Sequence, residues 1–121
     1  MNKFFIPGNV PSLKNGKQWT GKFLVYSKTC QNYINKTKSF YQQLAADFIK
    51  CCKDKPKPLK VQFKFIRDSR RKFDYSNSLQ TVEDLMVKHG WIKDDNADEL
   101  MPIFDYYEYD KENPGVEITV L

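Results

Sequence analysis

The hydrophobic positions change period several times along the chain, and each change predicts an element. Residues 2–6 carry the apolar run Phe4-Phe5-Ile6 and predict a short strand, ended by Pro7-Gly8. The stretch 7–16 is rich in Pro, Gly and Asn and predicts a loop. Lys17–Trp19 and Lys22–Tyr26 flank Thr20-Gly21 and predict a β-hairpin. Ser27 is a helix N-cap residue type, and from Lys28 to Cys52 the residues Tyr33, Phe40, Tyr41, Leu44, Phe48 and Ile49 recur mostly at three- and four-residue steps. That spacing predicts one long amphipathic helix with a single buried stripe, stopped by the Lys- and Pro-rich turn 53–58.

From Leu59 to Arg67 the period drops to two. Val61, Phe63 and Phe65 point one way and Gln62, Lys64 and Ile66 the other, which predicts a half-buried strand. A shorter helix follows. Asn77 with Gln80 resembles a capping pair, and Lys88-His89-Gly90 reads as a C-terminus with a left-handed glycine. Leu79, Val82 and Met86 form its apolar face, with Leu85 at the margin; Asn77, Thr81, Asp84 and Lys88 form the opposite face. Pro102–Tyr109 and Gly115–Leu121 are expected to pair as a hairpin across Asn113-Pro114. The elements together predict one mixed α/β domain over residues 1–121, with one long and one short helix packed on a largely antiparallel sheet.

Composition changes this picture little, but charge does. The 121 residues are 40% hydrophobic and 29% charged, as in ordinary globular chains. Cys30, Cys51 and Cys52 are odd in number and two are adjacent, so they read as buried small side chains in a reducing compartment, not as disulfides or a zinc site. No apolar run approaches the ~20 residues of a membrane span, and a cytoplasmic location is expected. The net charge of +5 is unevenly spread. Lys53, Lys55, Lys57, Lys60, Lys64, Arg67, Arg70, Arg71 and Lys72 meet only Asp54 and Asp68, whereas residues 94–112 are acidic with Lys111 as the sole cation. A basic stripe suits a polyanion through counterion release, and an acidic group suits a cation that can in turn hold phosphate.

Asp74, Asp84, Asp94 and Asp95 are the candidate chemistry. Hydrolysis of a phosphodiester needs a deprotonated water and charge stabilisation at the non-bridging oxygens, and Mg²⁺ held by carboxylates supplies both. Each acid also has a plain alternative: a helix N-cap for Asp74, a solvated helix face for Asp84, a turn for Asp94-Asp95. A helix of about 12 residues is about 18 Å long. Asp74 and Asp95 therefore share a site only if residues 90–95 run back along the helix or a second subunit supplies the distal pair.

The stretch Arg70-Arg71-Lys72-Phe73-Asp74-Tyr75-Ser76-Asn77, then Asp84, then Gly90-Trp91-Ile92-Lys93-Asp94-Asp95, resembles the RusA family of Holliday-junction resolvases, as does the opening segment Ile6 to Asn15. The resemblance implies a RusA-like fold and a homodimer that cuts branched DNA with Mg²⁺, for which Mn²⁺ can substitute. By position it makes Asp74, Asp94, Asp95 and Asp84 the catalytic acids, with Asp74, Asp94 and Asp95 on the metal, and it matches Asn77 to the Asn of the motif. Lys14, Asn15, Lys17, Arg67, Arg70, Arg71, Lys72 and Asn77 are the expected DNA contacts. Two positions depart from the family pattern: Ser76 replaces the motif's second Asp, and Gln80 replaces a helical Lys. They leave open a DNA-binding protein that does not cut, and the acidic segment leaves open a protein-interaction module.

Overall fold

The structure is a computed structural model that describes residues 2–12, 17–19 and 24–121, with 17–19 and 24–26 described by backbone alone. Its elements are β1 (Lys3–Pro7), β2 (Lys17–Trp19), β3 (Leu24–Tyr26), α1 (Lys28–Cys52), β4 (Leu59–Arg67), α2 (Tyr75–Lys88), β5 (Leu100–Phe104), β6 (Glu108–Tyr109) and β7 (Gly115–Val120). The mixed α/β architecture with a mostly antiparallel five-stranded sheet is the one expected. β2 and β3 form the early hairpin, with Trp19 opposite Leu24. Lys22 and the expected turn at Thr20-Gly21 lie outside the described residues.

The main sheet runs β1-β7-β4-β5, with β6 continuing beside β4. β7 lies antiparallel to both β1 and β4, while β5 and β6 lie parallel to β4. The expected terminal hairpin is therefore not formed. Residues 100–109 and 115–120 run on opposite sides of β4, and the former break into two short strands. The alternation Val116-Ile118-Val120 is satisfied equally by any neighbour, and β1 needs a partner for its own ladder. β7 fills both needs by entering between β1 and β4, where its backbone groups pair on both sides. Pro102 has no N–H to donate, and it sits on an edge strand, where that costs nothing. The parallel neighbours β4 and β5 are joined by the crossover helix α2, as parallel strands require.

One face of the sheet is dry. Phe4 and Ile6 on β1, Val61, Phe63 and Phe65 on β4, and Val116, Ile118 and Val120 on β7 are all buried against the helices. The other face carries Lys3, Lys60, Lys64 and Glu117, with Lys3 paired to Glu117 and Lys64 to Glu108. The long helix begins at the expected cap, where Ser27 Oγ accepts the Cys30 N–H. Its buried stripe is narrower than expected. Tyr33, Thr37, Tyr41 and Phe48 are buried, but Phe40 is 39% and Ile49 50% exposed, because they flank that stripe on opposite sides of the helix. Cys30 is buried, and Cys51 and Cys52 are half-buried free thiols rather than fully buried ones.

Trp91 closes the core between the two helices. Its ring lies against Phe4, Tyr41 and Phe48, and its Nε1–H donates to the Tyr41 carbonyl at 2.7 Å. That bond satisfies the one polar atom of a fully enclosed ring.

Candidate active site

Helix α2 carries the site, and it starts earlier than the Asn77–Gln80 pair predicted. Asp74 is the N-cap, accepting the Ser76 N–H on Oδ1 at 3.0 Å, and Asn77 already lies in the first turn. A carboxylate at this position satisfies an otherwise unpaired donor and complements the helix dipole. The far end is as expected: His89 is the C-cap and Gly90 takes the left-handed φ of 78°. The His89 ring stacks on Tyr41, and burial lowers its pKa.

The faces of α2 differ from the expected division. Leu85 is core, not margin, and Thr81 is buried, donating from Oγ1 to the Pro11 carbonyl at 2.8 Å. The loop after β1 covers this second side of the helix, which an amphipathic pattern alone does not register. The loop is also clamped from β4: Arg67 Nη1 donates to the Val10 carbonyl, and its guanidinium lies 4.5 Å from the Phe73 ring centroid. Half-burial lowers the Arg67 pKa. This candidate DNA contact is thus committed to holding the loop. Lys14 and Asn15 lie outside the described residues, as does the Lys17 side chain.

Beyond Gly90 the chain stays beside the last turns of α2, where the Trp91 N–H donates to the Met86 carbonyl. Asp95 feels the negative charge of Asp84, and Glu83 feels both Asp95 and Asp84. Three of the candidate acids, Asp84, Asp94 and Asp95, are therefore neighbours. Asp74 is not among the charges that act on Asp95 or Glu83. It precedes Asp84 by ten residues, about 15 Å along a helix. Among the described residues no group of three or more His, Cys, Asp or Glu is arranged to hold a single metal ion.

The adjacent acids Asp94 and Asp95 are shifted in opposite directions. Asp94 is held below the usual carboxylate range because its Oδ1 accepts the Asp95 N–H at 2.8 Å and its Oδ2 accepts from Asn96 Nδ2 at 3.1 Å. Asp95 is pushed up, first by burial and then by the hydrogen bond and charge of Asp94. Gln80, in the place of the family's Lys, donates from Nε2 to Asp84 Oδ1 at 2.8 Å and so orients that carboxylate. Ser76 is exposed at the start of the helix.

The sequence reading missed Glu83. Its side chain is 8% exposed, and burial, then Asp95, then Asp84 raise its carboxyl to about 7. The signal was available: Leu79, Glu83 and Met86 are spaced by four and three residues, so Glu83 falls on the apolar stripe. A carboxylate there is costly unless something offsets it. As donors, these hard oxygens suit Mg²⁺. As geometry, they offer neighbouring pairs and no three-sided cage, which matches an ion that binds through one or two carboxylates and keeps waters or substrate phosphates on its other sides.

Residues 7–121 match a family model for an endodeoxyribonuclease, so the class of protein is that of enzymes cutting within DNA strands. The description of that model is Endodeoxyribonuclease RusA, and the chain belongs to the RusA family. No curated protein matches the chain. No helix among the described residues is long and apolar enough to cross a membrane.

Proposed function

We propose that this chain is a Mg²⁺-dependent endonuclease that cuts four-way DNA junctions as a homodimer. The observation that carries the reading is the gathering of Glu83, Asp84, Asp94 and Asp95 at one end of α2 against their mutual repulsion, in a chain of an endodeoxyribonuclease family. Glu83 and Asp95, whose carboxyls are raised by burial and by neighbouring acids, are what a bound cation would relieve. Asp95, paired with Asp94 or with Asp84, is the residue to hold the ion, with Glu83 beside them. When bound, Mg²⁺ supplies a more acidic water and charge stabilisation at the phosphate.

The chain's own groups do the rest. Gln80 fixes the Asp84 carboxylate, and the Asp94 turn fixes Asp95. Arg70, Arg71 and Lys72 are exposed ahead of Asp74 and suit the strand's phosphates. Asp74 and Asn77 lie at the helix start, away from the acids at the other end of α2. A two-fold homodimer suits a substrate in which two strands are cut symmetrically.

The test is cleavage of a synthetic four-way junction with Mg²⁺ or Mn²⁺ by wild type and Asp95→Asn. Cutting by wild type and loss in the variant is the expected result; equal cutting by both removes this site assignment. Ser76 and Gln80 favour a second reading, a junction binder without cleavage, because both remove charge from positions where the family carries it. Salt-sensitive junction binding by wild type with no cutting in either metal would select that reading.

A further inference from the structure

The edge of the sheet beyond β4 carries a run of aromatic rings that the proposed chemistry does not use. Tyr75, in the first turn of α2, packs on Phe104 at 5.1 Å between centroids, and its hydroxyl accepts the Tyr107 N–H at 3.0 Å. Phe73 meets Tyr107 edge-on at 5.0 Å. Tyr106 stacks on Tyr107 at 5.6 Å with 17° between planes, and remains 80% exposed. Phe104 and Tyr109 are also exposed, and Arg70 lies over the Tyr109 ring at 4.3 Å. The inner rings, Phe65, Phe73 and Tyr75, belong to or border the core. Of the outer ones, Phe104 rests on Tyr75, and Tyr106 rests on Tyr107, which in turn meets Phe73 and Tyr75.

We infer that Tyr106, on the same edge segment as Tyr109 with its Arg70 partner, is a stacking platform for unpaired nucleobases of branched DNA. This inference rests on the DNA reading above and names where strand opening is recognised. A base has an apolar face and no charge, so it stacks on an aromatic ring or a guanidinium plane whatever its identity. Bases at a branch point are the ones free to leave their partners, whereas those of a linear duplex are not. The adjoining phosphates meet Arg70, Arg71 and Lys72, all exposed. The acids on the same segment have other partners: Asp105 Oδ1 accepts the Tyr106 N–H, Glu108 pairs with Lys64, and Asp110 Oδ1 accepts the N–H groups of Glu112 and Asn113. Charge also argues against a second copy as the occupant, since a two-fold contact through this patch would set the Arg70–Lys72 run against itself.

The test compares wild type, Tyr106→Ala and Tyr106→Phe. Each is titrated in EDTA against a four-way junction carrying 2-aminopurine at the branch point and against a linear duplex of equal length. Tyr106→Ala is expected to weaken junction binding by about 5- to 100-fold, the range for losing one base–ring stack. It should also abolish the change in 2-aminopurine fluorescence and leave duplex binding within about twofold. Tyr106→Phe keeps the ring and should behave as wild type. Because the side chain is so exposed, the variants fold, which circular dichroism checks. Unchanged junction binding by Tyr106→Ala overturns the platform while leaving the nuclease reading intact. Equal losses on junction and duplex, or a shift from dimer to monomer in sedimentation, also overturn it, the latter by making the patch a self-contact. Failure of wild type to bind the junction at all ends both readings.

Discussion

Glu83 offers a direct test of whether the gathered carboxylates are as costly as their surroundings imply. Its carboxyl is raised from 4.5 to about 7 by burial and by the charges of Asp95 and Asp84. A carboxyl whose folded-state pKa is raised helps folding fully only below its unfolded value, where it is protonated in both states. That contribution is lost as the pH rises from about 4.5 through about 7, because the folded state then holds a buried anion. The full difference corresponds to about 3 kcal/mol at 1.36 kcal/mol per tenfold change in proton affinity. Screening by solvent around the acidic cluster reduces the expected effect to about 1–2 kcal/mol. Glu83→Gln keeps the shape and removes the charge. It should match wild type in thermal denaturation at pH 4 and exceed it by about 4–8 °C at pH 8. Mg²⁺ at ten times its dissociation constant should stabilise wild type at pH 8 by about 1.4 kcal/mol, a gain that chelation removes. Superimposable stability profiles for the two proteins from pH 4 to pH 8.5 would refute the argument, since they would mean that Glu83 is solvated and ordinary.

Other variants test the packing that positions the site. Gly115→Ala places a Cβ 2.4 Å from the Phe5 ring and 2.6 Å from the Ile6 carbonyl oxygen; the carbonyl is backbone and cannot swing away, so a loss of about 1–3 kcal/mol in urea unfolding is expected. Thr81→Val removes the bond to the Pro11 carbonyl and should cost about 1–2 kcal/mol, with faster amide exchange confined to residues 8–12. Trp91→Phe leaves space among Phe4, Tyr41 and Phe48 and removes the bond to the Tyr41 carbonyl, so chemical denaturation should show a loss of about 2–3 kcal/mol. Ser76→Asp restores a carboxylate and should raise Mg²⁺-dependent junction cutting at least about tenfold, equivalent to about 1.4 kcal/mol of barrier; unchanged cutting would show that charge at Ser76 is not what limits the site.

Periodicity made the elements legible, because it depends only on which side chains share a face. The alternation of Val61, Phe63 and Phe65 specified β4, and the three- and four-residue spacing with Ser27 specified α1. Pairing was not legible. The pattern of β7 requires burial on one face but does not name its neighbours, and a short connection to residues 102–109 made a hairpin the economical guess. For the site, acids and their spacing were readable from the chain, while their convergence was not. That Asp95 returns to the level of Asp84 depends on the direction of the chain after Gly90.

Topology supplies that direction. A crossover helix between parallel strands runs against them, so α2 ends near the start of β5 and the chain leaving it stays at that end of the sheet. Leu59 pairs with Leu100, and the Leu59 N–H donates to the Glu99 carbonyl, fixing where the connection ends. Asn96 then shapes the last turn: its carbonyl accepts the Glu99 and Leu100 N–H groups and its Oδ1 accepts that of Asp98. With Gly90 at one end and Asn96 at the other, Asp94 and Asp95 are held beside Asp84 and Glu83 by the crossover itself. The acids are thus gathered in the connection between the end of α2 and the start of β5, held by local hydrogen bonds at both of its ends, which is why a fixed scaffold can sustain their repulsion. The same geometry explains why Asp74 stands apart: it caps the opposite end of α2, beside the end of β4 rather than the start of β5.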